Sequence, residues 1–164
     1  MATVAANDWV YPRKLRDPLL GAAGLLMLLL VVAFGRHMGQ PAAVLSPWLI
    51  VHLMAIVPAV PLGAVMLLRR KGDRPHRLIG RVWAALMLIA ALSSFGVHAV
   101  TGHLSPIHLL SILTLFTLPR AIRDARKGRI AQHRRKMTIL YSALVIAGYF
   151  TLLPTRLLGH FLFG

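Results

Sequence analysis

Apolar residues in this chain gather into five long runs separated by short polar connections. The runs cover about residues 19–35, 46–68, 78–100, 106–122 and 137–153. A helix needs about 20 predominantly apolar residues to cross a bilayer. The pattern therefore predicts an all-α integral membrane protein with five transmembrane helices. Composition agrees: 57% of the 164 residues are hydrophobic and 14% charged, where a soluble domain has about 45–50% and about a quarter.

Residues 1–18 form a polar N-terminal segment, expected in the cytoplasm, and residues 19–164 a single membrane domain. Basic residues before the first run also suit a signal peptide. The run is long for that, and no small-residue cleavage site precedes Gln40-Pro41, so it reads as an uncleaved anchor. Ser46-Pro47 opens the second run as a helix N-cap with proline at the first helical position. Pro58 and Pro61 are expected to kink that helix. A second Ser-Pro, Ser105-Pro106, opens the fourth run, which Pro119-Arg120 interrupts. Arg123 to Lys136 reads as a basic connection with a helical piece lying on the membrane surface.

Charge sets orientation. The net charge is +15, which in a soluble domain would suggest nucleic-acid binding. Here the basic residues sit in the connections, where topology explains them and no nucleic-acid partner is required. Three Lys and Arg precede the first run, six lie between the second and third, and eight between the fourth and fifth. That places seventeen of the nineteen on one side, leaving Arg36 and Arg156 on the other. The positive-inside rule puts the seventeen in the cytoplasm, with the N-terminus inside and the C-terminus outside. The chain has no cysteine, which excludes disulfides, thiolate ligands and thiol catalysis.

Two stretches echo each other. His52–Gly72, HLMAIVPAVPLGAVMLLRRKG, aligns without gaps to His108–Gly128, HLLSILTLFTLPRAIRDARKG, with seven of 21 positions identical. Each begins with a histidine, ends in Arg-Lys-Gly and is followed by a second His-Arg, at His76-Arg77 and His133-Arg134. The first-to-second histidine spacing is 24 residues in one copy and 25 in the other. Spans two to five then form a four-helix bundle built from a two-helix repeat, whose copies are related by an axis along the membrane normal. Such an axis sets His52 opposite His108 near the outer face and His76 opposite His133 near the inner face. An ionisable residue as deep as His52 is a functional hypothesis by default.

Histidines on facing helices are the ligands a haem iron needs. His52 and His108 form an outer pair, and His76 and His133 an inner one. Arg77, Arg81, Arg134 and Arg135 are placed to hold propionates through charge-assisted hydrogen bonds. Gly80, Gly96 and Gly148 are places where a flat macrocycle would find room. The reading is a b-type haem electron carrier in the lipid bilayer, with quinone or another small redox partner.

The string His76-Arg77-x-x-Gly80-Arg81, the start Ser105-Pro106-Ile107-His108, and His133-Arg134-x-x-Met137 resemble the bacterial membrane proteins of domain-of-unknown-function family 2306. The resemblance runs from the second span onward. It implies the bacterial inner membrane and brings no established activity. The histidine arrangement is also similar to that of the cytochrome b561 type, which implies two b haems ligated between helices two and four and helices three and five. This chain departs from that type in having five spans where six are usual, with its inner histidines among arginines at the membrane edge.

Helical rise puts about 25 Å between His52 and Arg69, which would separate two haem layers widely and favours the outer pair. Two other readings stand beside haem. His98, His103 and His108 suit an outer divalent-metal site, though with no carboxylate beside them. An accessory or assembly subunit without chemistry of its own is the third. No Asp or Glu lies within any span, which argues against a carboxylate-coupled transporter.

Overall fold

The computed structural model describes residues 13–36, 46–101 and 108–153. They form five α-helices: α1 (Arg13–Arg36), α2 (Pro47–Leu68), α3 (Arg74–Thr101), α4 (His108–Arg126) and α5 (Ile130–Thr151). No strand occurs among the described residues. Lys14–Ala33, Pro47–Leu68 and Arg74–Val97 are each long and apolar enough to cross a membrane. α4 and α5 carry charge inside the helix. Arg120, Arg123, Asp124 and Arg126 occupy the last two turns of α4, and Arg134, Arg135 and Lys136 the first two of α5.

The outer surface is as apolar as the interior. Leu28, Val31, Met54, Leu92, Leu109, Phe116 and Ile146 all stand more than half exposed, a surface made for lipid rather than water. Between the helices the buried positions favour small residues, among them Ala23, Ala33, Ala59, Ala84 and Ala121. Such residues let membrane helices approach closely where no hydrophobic force drives them together. α3 packs against α2 and α4. α5 packs against α4 and more narrowly α2, and α1 lies against α2 and α5. Among the described residues, the backbones of α2 and α4, and of α3 and α5, do not approach within 8 Å Cα to Cα, and those helices meet only through side chains.

The ends of the helices explain the sequence echo. Ser46 caps α2 as expected, its Oγ accepting from the Leu49 N–H at 3.2 Å, with Pro47 at the first helical position. The second Ser-Pro lies outside the described residues. α2 runs unbroken through Pro58 and Pro61 to Leu68. Both Arg-Lys-Gly strings then place glycine in the left-handed region, Gly72 at φ 86° and Gly128 at φ 72°, where a side chain would be strained. At Gly128 the chain closes a two-bond C-cap, with Gly128 N–H to Ala125 O and Arg129 N–H to Asp124 O. This turn changes the expected picture of residues 123–136. The segment does not lie apart on the surface; it divides between the end of α4 and the start of α5, across a three-residue turn.

Candidate functional site

The layer that holds His52 and His108, called outer after the expected orientation, forms around one turn of α3. His52 Nδ1 lies 2.9 Å from the Ala90 carbonyl and 3.2 Å from Ser93 Oγ, and Ser93 donates to the same carbonyl. A carbonyl only accepts, so Nδ1 carries the proton and the neutral ring leaves Nε2 with its lone pair. From α4, His108 Nε2 donates to the Ser94 carbonyl at 3.3 Å, and its ring leans on Phe95 with centroids 5.9 Å apart. Ser94 Oγ donates to Ser111 Oγ at 2.8 Å, tying α3 to α4 again. The two histidines thus come from helices whose backbones are not neighbours, and they engage carbonyls four residues apart, about 6 Å along the helix.

The middle layer is packed shut. Trp83 Nε1 on α3 donates to Ala59 O at 2.9 Å, and the Tyr141 hydroxyl on α5 donates to Val60 O at 3.0 Å. Both side chains are buried. They converge on α2 at Gly63, where a β-carbon would stand 2.2 Å from Tyr141 Cε2 and 3.1 Å from Trp83 Nε1. Only glycine leaves that slot open. Leu118 and Leu140 complete the layer at 0% exposure.

The opposite layer, inner in the expected orientation, holds His76, in the first turn of α3, and His133, in the first turn of α5. His133 Nδ1 donates to Ala121 O at 2.9 Å, leaving Nε2 with its lone pair. His76 Nδ1 is buried and has no hydrogen-bond partner among the described residues. These two rings are within electrostatic reach of each other. Because His133 sits at the level of Ala121, the layers are thirteen residues apart along α4, about 20 Å. Around them lie two charge devices. Asp73 accepts from the His76 N–H at 2.7 Å and so caps α3. Lys71 closes the end of α2 by donating to the carbonyls of Met66, Leu67 and Arg69. Burial pushes the Lys71 ammonium down to about 8, with the positive charges of Arg16 and Arg134 adding to the effect.

Asp124 was legible in the sequence only as one acid among basic residues. In the structure it is buried at 2% exposure, and its carboxylate pairs with Lys136 of α5 and with Arg129, the residue just before that helix. Hydrogen bonding to Lys136 first, then to Arg129, holds the carboxyl below the usual carboxylate range.

The remaining expected site residues are less engaged. Arg77, Arg81 and Arg135 are exposed, while Arg134 is half-buried. The glycines do not provide the expected room. Trp48 covers Gly96, Leu26 covers Gly148 and Met66 reaches Gly80. Each glycine serves close helix packing, so the space beside it belongs to a neighbouring helix. Of the outer metal trio, His103 and the side chain of His98 lie outside the described residues. Among the described residues, no three metal-binding side chains gather. Two clefts stand open to the surface, lined by Leu88, Leu118, Pro119, Ile122, Arg123 and Arg126 and by Ile50, Val51, Met54, Ala55, Leu86 and Ile89; no histidine lines either. The features missed by sequence reasoning are the serines and the aromatic slot. Ser93-Ser94 inside an apolar run, with Ser111 in another, was the signal for the first.

Apolar helices with a lipid-facing exterior define a helical membrane protein. Within that class, the chain belongs to the family described as predicted membrane protein DUF2306, whose profile matches residues 49–163. Comparison with curated proteins and with solved structures finds no match.

Proposed function

We propose that the chain is a five-span protein of the bacterial inner membrane whose α2–α5 form a four-helix bundle carrying a b-type haem between His52 and His108. The observation behind this is the convergence of the two rings, from two helices whose backbones are not neighbours, on one turn of α3. The donor chemistry suits a metal. An Nδ1–H fixed on a backbone carbonyl is how ligating histidines are oriented, and His52 and His133 both have it. His76, with a buried and unpartnered ring nitrogen, makes a second, inner position with His133, with Arg77 and Arg81 nearby on α3 for propionates. His108 donates from Nε2 to the Ser94 carbonyl, so it would ligate only after its ring turns away from that bond.

A bound haem would supply one-electron transfer, with quinone or another small redox partner exchanging the electron. The chain's own residues orient the rings and exclude water. Ser93 and the Ala90 carbonyl hold His52, Ser111 fixes Ser94, and the Trp83–Tyr141 layer separates the outer position from the inner. The N-terminus and both basic connections face the cytoplasm in this reading. The test is the reduced-minus-oxidised spectrum of protein purified from haem-replete cells. Bands that His52→Ala removes support the reading, and a colourless wild-type protein ends it.

A second reading has its own observation. The same hydrogen bonds from His52, Ser94 and His108 tie α2 and α4 to α3, which is sufficient reason for their presence in a packed membrane subunit. Its mark would be a colourless protein that His52→Ala destabilises.

A further inference from the structure

The histidine layers leave unused a cleft on the lipid-facing side between α3 and α4. It has a volume of about 380 Å³, at the low end of ligand sites, which run from about 300 to 1,000 Å³. Leu88 of α3 and Leu118, Pro119 and Ile122 of α4 make its apolar wall, and Arg123 and Arg126 stand at its charged end. The two arginines are three residues apart, which sets them side by side on one helix face. Both are exposed.

Asp124, between them in sequence, points the other way. It is buried and paired with Arg129 and Lys136, so it does not neutralise the arginines. Their simplest alternative role is to offset the negative end of the α4 dipole. That role needs no apolar cleft alongside, and the cleft leads from the arginines into the depth of the membrane. Fixed positive charge at the interface, continuous with an apolar channel toward the bilayer interior, matches one occupant chemically: a lipid with an anionic phosphate headgroup and an acyl chain.

We infer that the α3–α4 cleft binds an anionic phospholipid, with its phosphate on Arg123 and Arg126 and one acyl chain against Leu88 and Ile122. Arginine recognises phosphate through paired hydrogen bonds, and basic positions between membrane helices on the cytoplasmic side take such headgroups. This site uses no histidine and stands whether or not haem is bound.

The experiment uses the full chain, purified and delipidated in neutral detergent. Binding of dioleoyl phosphatidylglycerol is titrated and compared with dioleoyl phosphatidylcholine, which has the same chains, and with glycerol phosphate, which has none. Phosphatidylglycerol should bind best. Arg123→Gln or Arg126→Gln should weaken it about fivefold each, and the double variant about thirtyfold. Arg70→Gln, at an exposed position at the end of α2, should leave it unchanged. Ile122→Trp should reduce binding with both arginines present. Three results overturn the proposal: the double variant binding as wild type, glycerol phosphate binding as tightly as the lipid, or phosphatidylcholine binding equally well. Exposed arginines are replaceable without unfolding, and unchanged thermal midpoints of the lipid-free variants verify it.

Discussion

Replacing Gly63 with alanine is the sharpest test of how this protein packs. The new methyl would lie 2.2 and 2.3 Å from two carbons of the Tyr141 ring, whereas carbon atoms rest about 3.5–4.0 Å apart. The ring must therefore retreat by more than about 1 Å. It has little freedom to do so: Tyr141 is 2% exposed and its hydroxyl is held on Val60 O at 3.0 Å. Trp83 Nε1, 3.1 Å from the same point, closes the other exit. Forcing a methyl into a filled core costs about 1–3 kcal/mol, and stranding a buried hydroxyl about 1–3 kcal/mol more. Alanine returns about 1 kcal/mol as the better helix former.

The net expectation is a loss of about 2–4 kcal/mol, or a thermal midpoint lower by at least about 5 °C for a chain of this size. The assay is thermal unfolding of the full chain in detergent, followed by helical circular dichroism. Gly21→Ala is the control, since a β-carbon there meets nothing within 4 Å, and it should be neutral or mildly stabilising. Tyr141→Leu should couple to Gly63→Ala, the pair costing less than the sum. If Gly63→Ala is as stable as Gly21→Ala, the aromatic slot is not where the helices lock.

Three further predictions follow from the inner face. Asp124→Asn should lower the unfolding midpoint at pH 7, because Arg129 and Lys136 lose their shared acid. Asp124 titrates lower when folded than unfolded, so its contribution is complete above about pH 4 and is lost as pH falls through the folded value; the variant should flatten that acid limb of a pH–stability profile. Lys71 titrates near 8 when folded and about 10.4 when unfolded, so the unfolded chain binds more protons between those values and stability should rise across them. Lys71→Arg, which stays charged, should remove that rise. Because the chain has no cysteine, single substitutions report topology cleanly. Arg70→Cys and Arg126→Cys should react with an impermeant thiol reagent from the same side, and Ser105→Cys from the other; labelling of Arg70→Cys and Ser105→Cys from one side would refute the orientation.

The membrane class and the positions of the helices were legible because a bilayer imposes a length and a polarity on each span. The Arg-Lys-Gly strings were legible as a matched pair, and both place glycine in the left-handed region, Gly128 in the C-cap of α4 and Gly72 in the turn between α2 and α3. His52 and His108 were singled out by the repeat and by their place in the spans, and in the structure their rings hydrogen-bond to carbonyls on one turn of α3. What the sequence withheld is what depends on three helices meeting at once. Nothing local to Gly63 marks it as the seat of Trp83 and Tyr141, and the glycines chosen for a cofactor are filled by Trp48, Leu26 and Met66. Asp124 looked like one more interfacial acid, because its partners are five and twelve residues away, across a turn that brings them back. The basic residues of α4 and α5 are continuous with their apolar stretches, and the helices long and apolar enough to cross a membrane among the described residues are α1, α2 and α3.

The proposed haem is tested most directly by measuring haem bound per chain in protein from haem-replete cells, for wild type and for His52→Ala, His108→Ala and His76→Ala. The account predicts that wild type holds haem, that either outer variant loses the outer haem, and that His76→Ala retains it. Wild-type protein without haem, or haem content unchanged in both His52→Ala and His108→Ala, would contradict it.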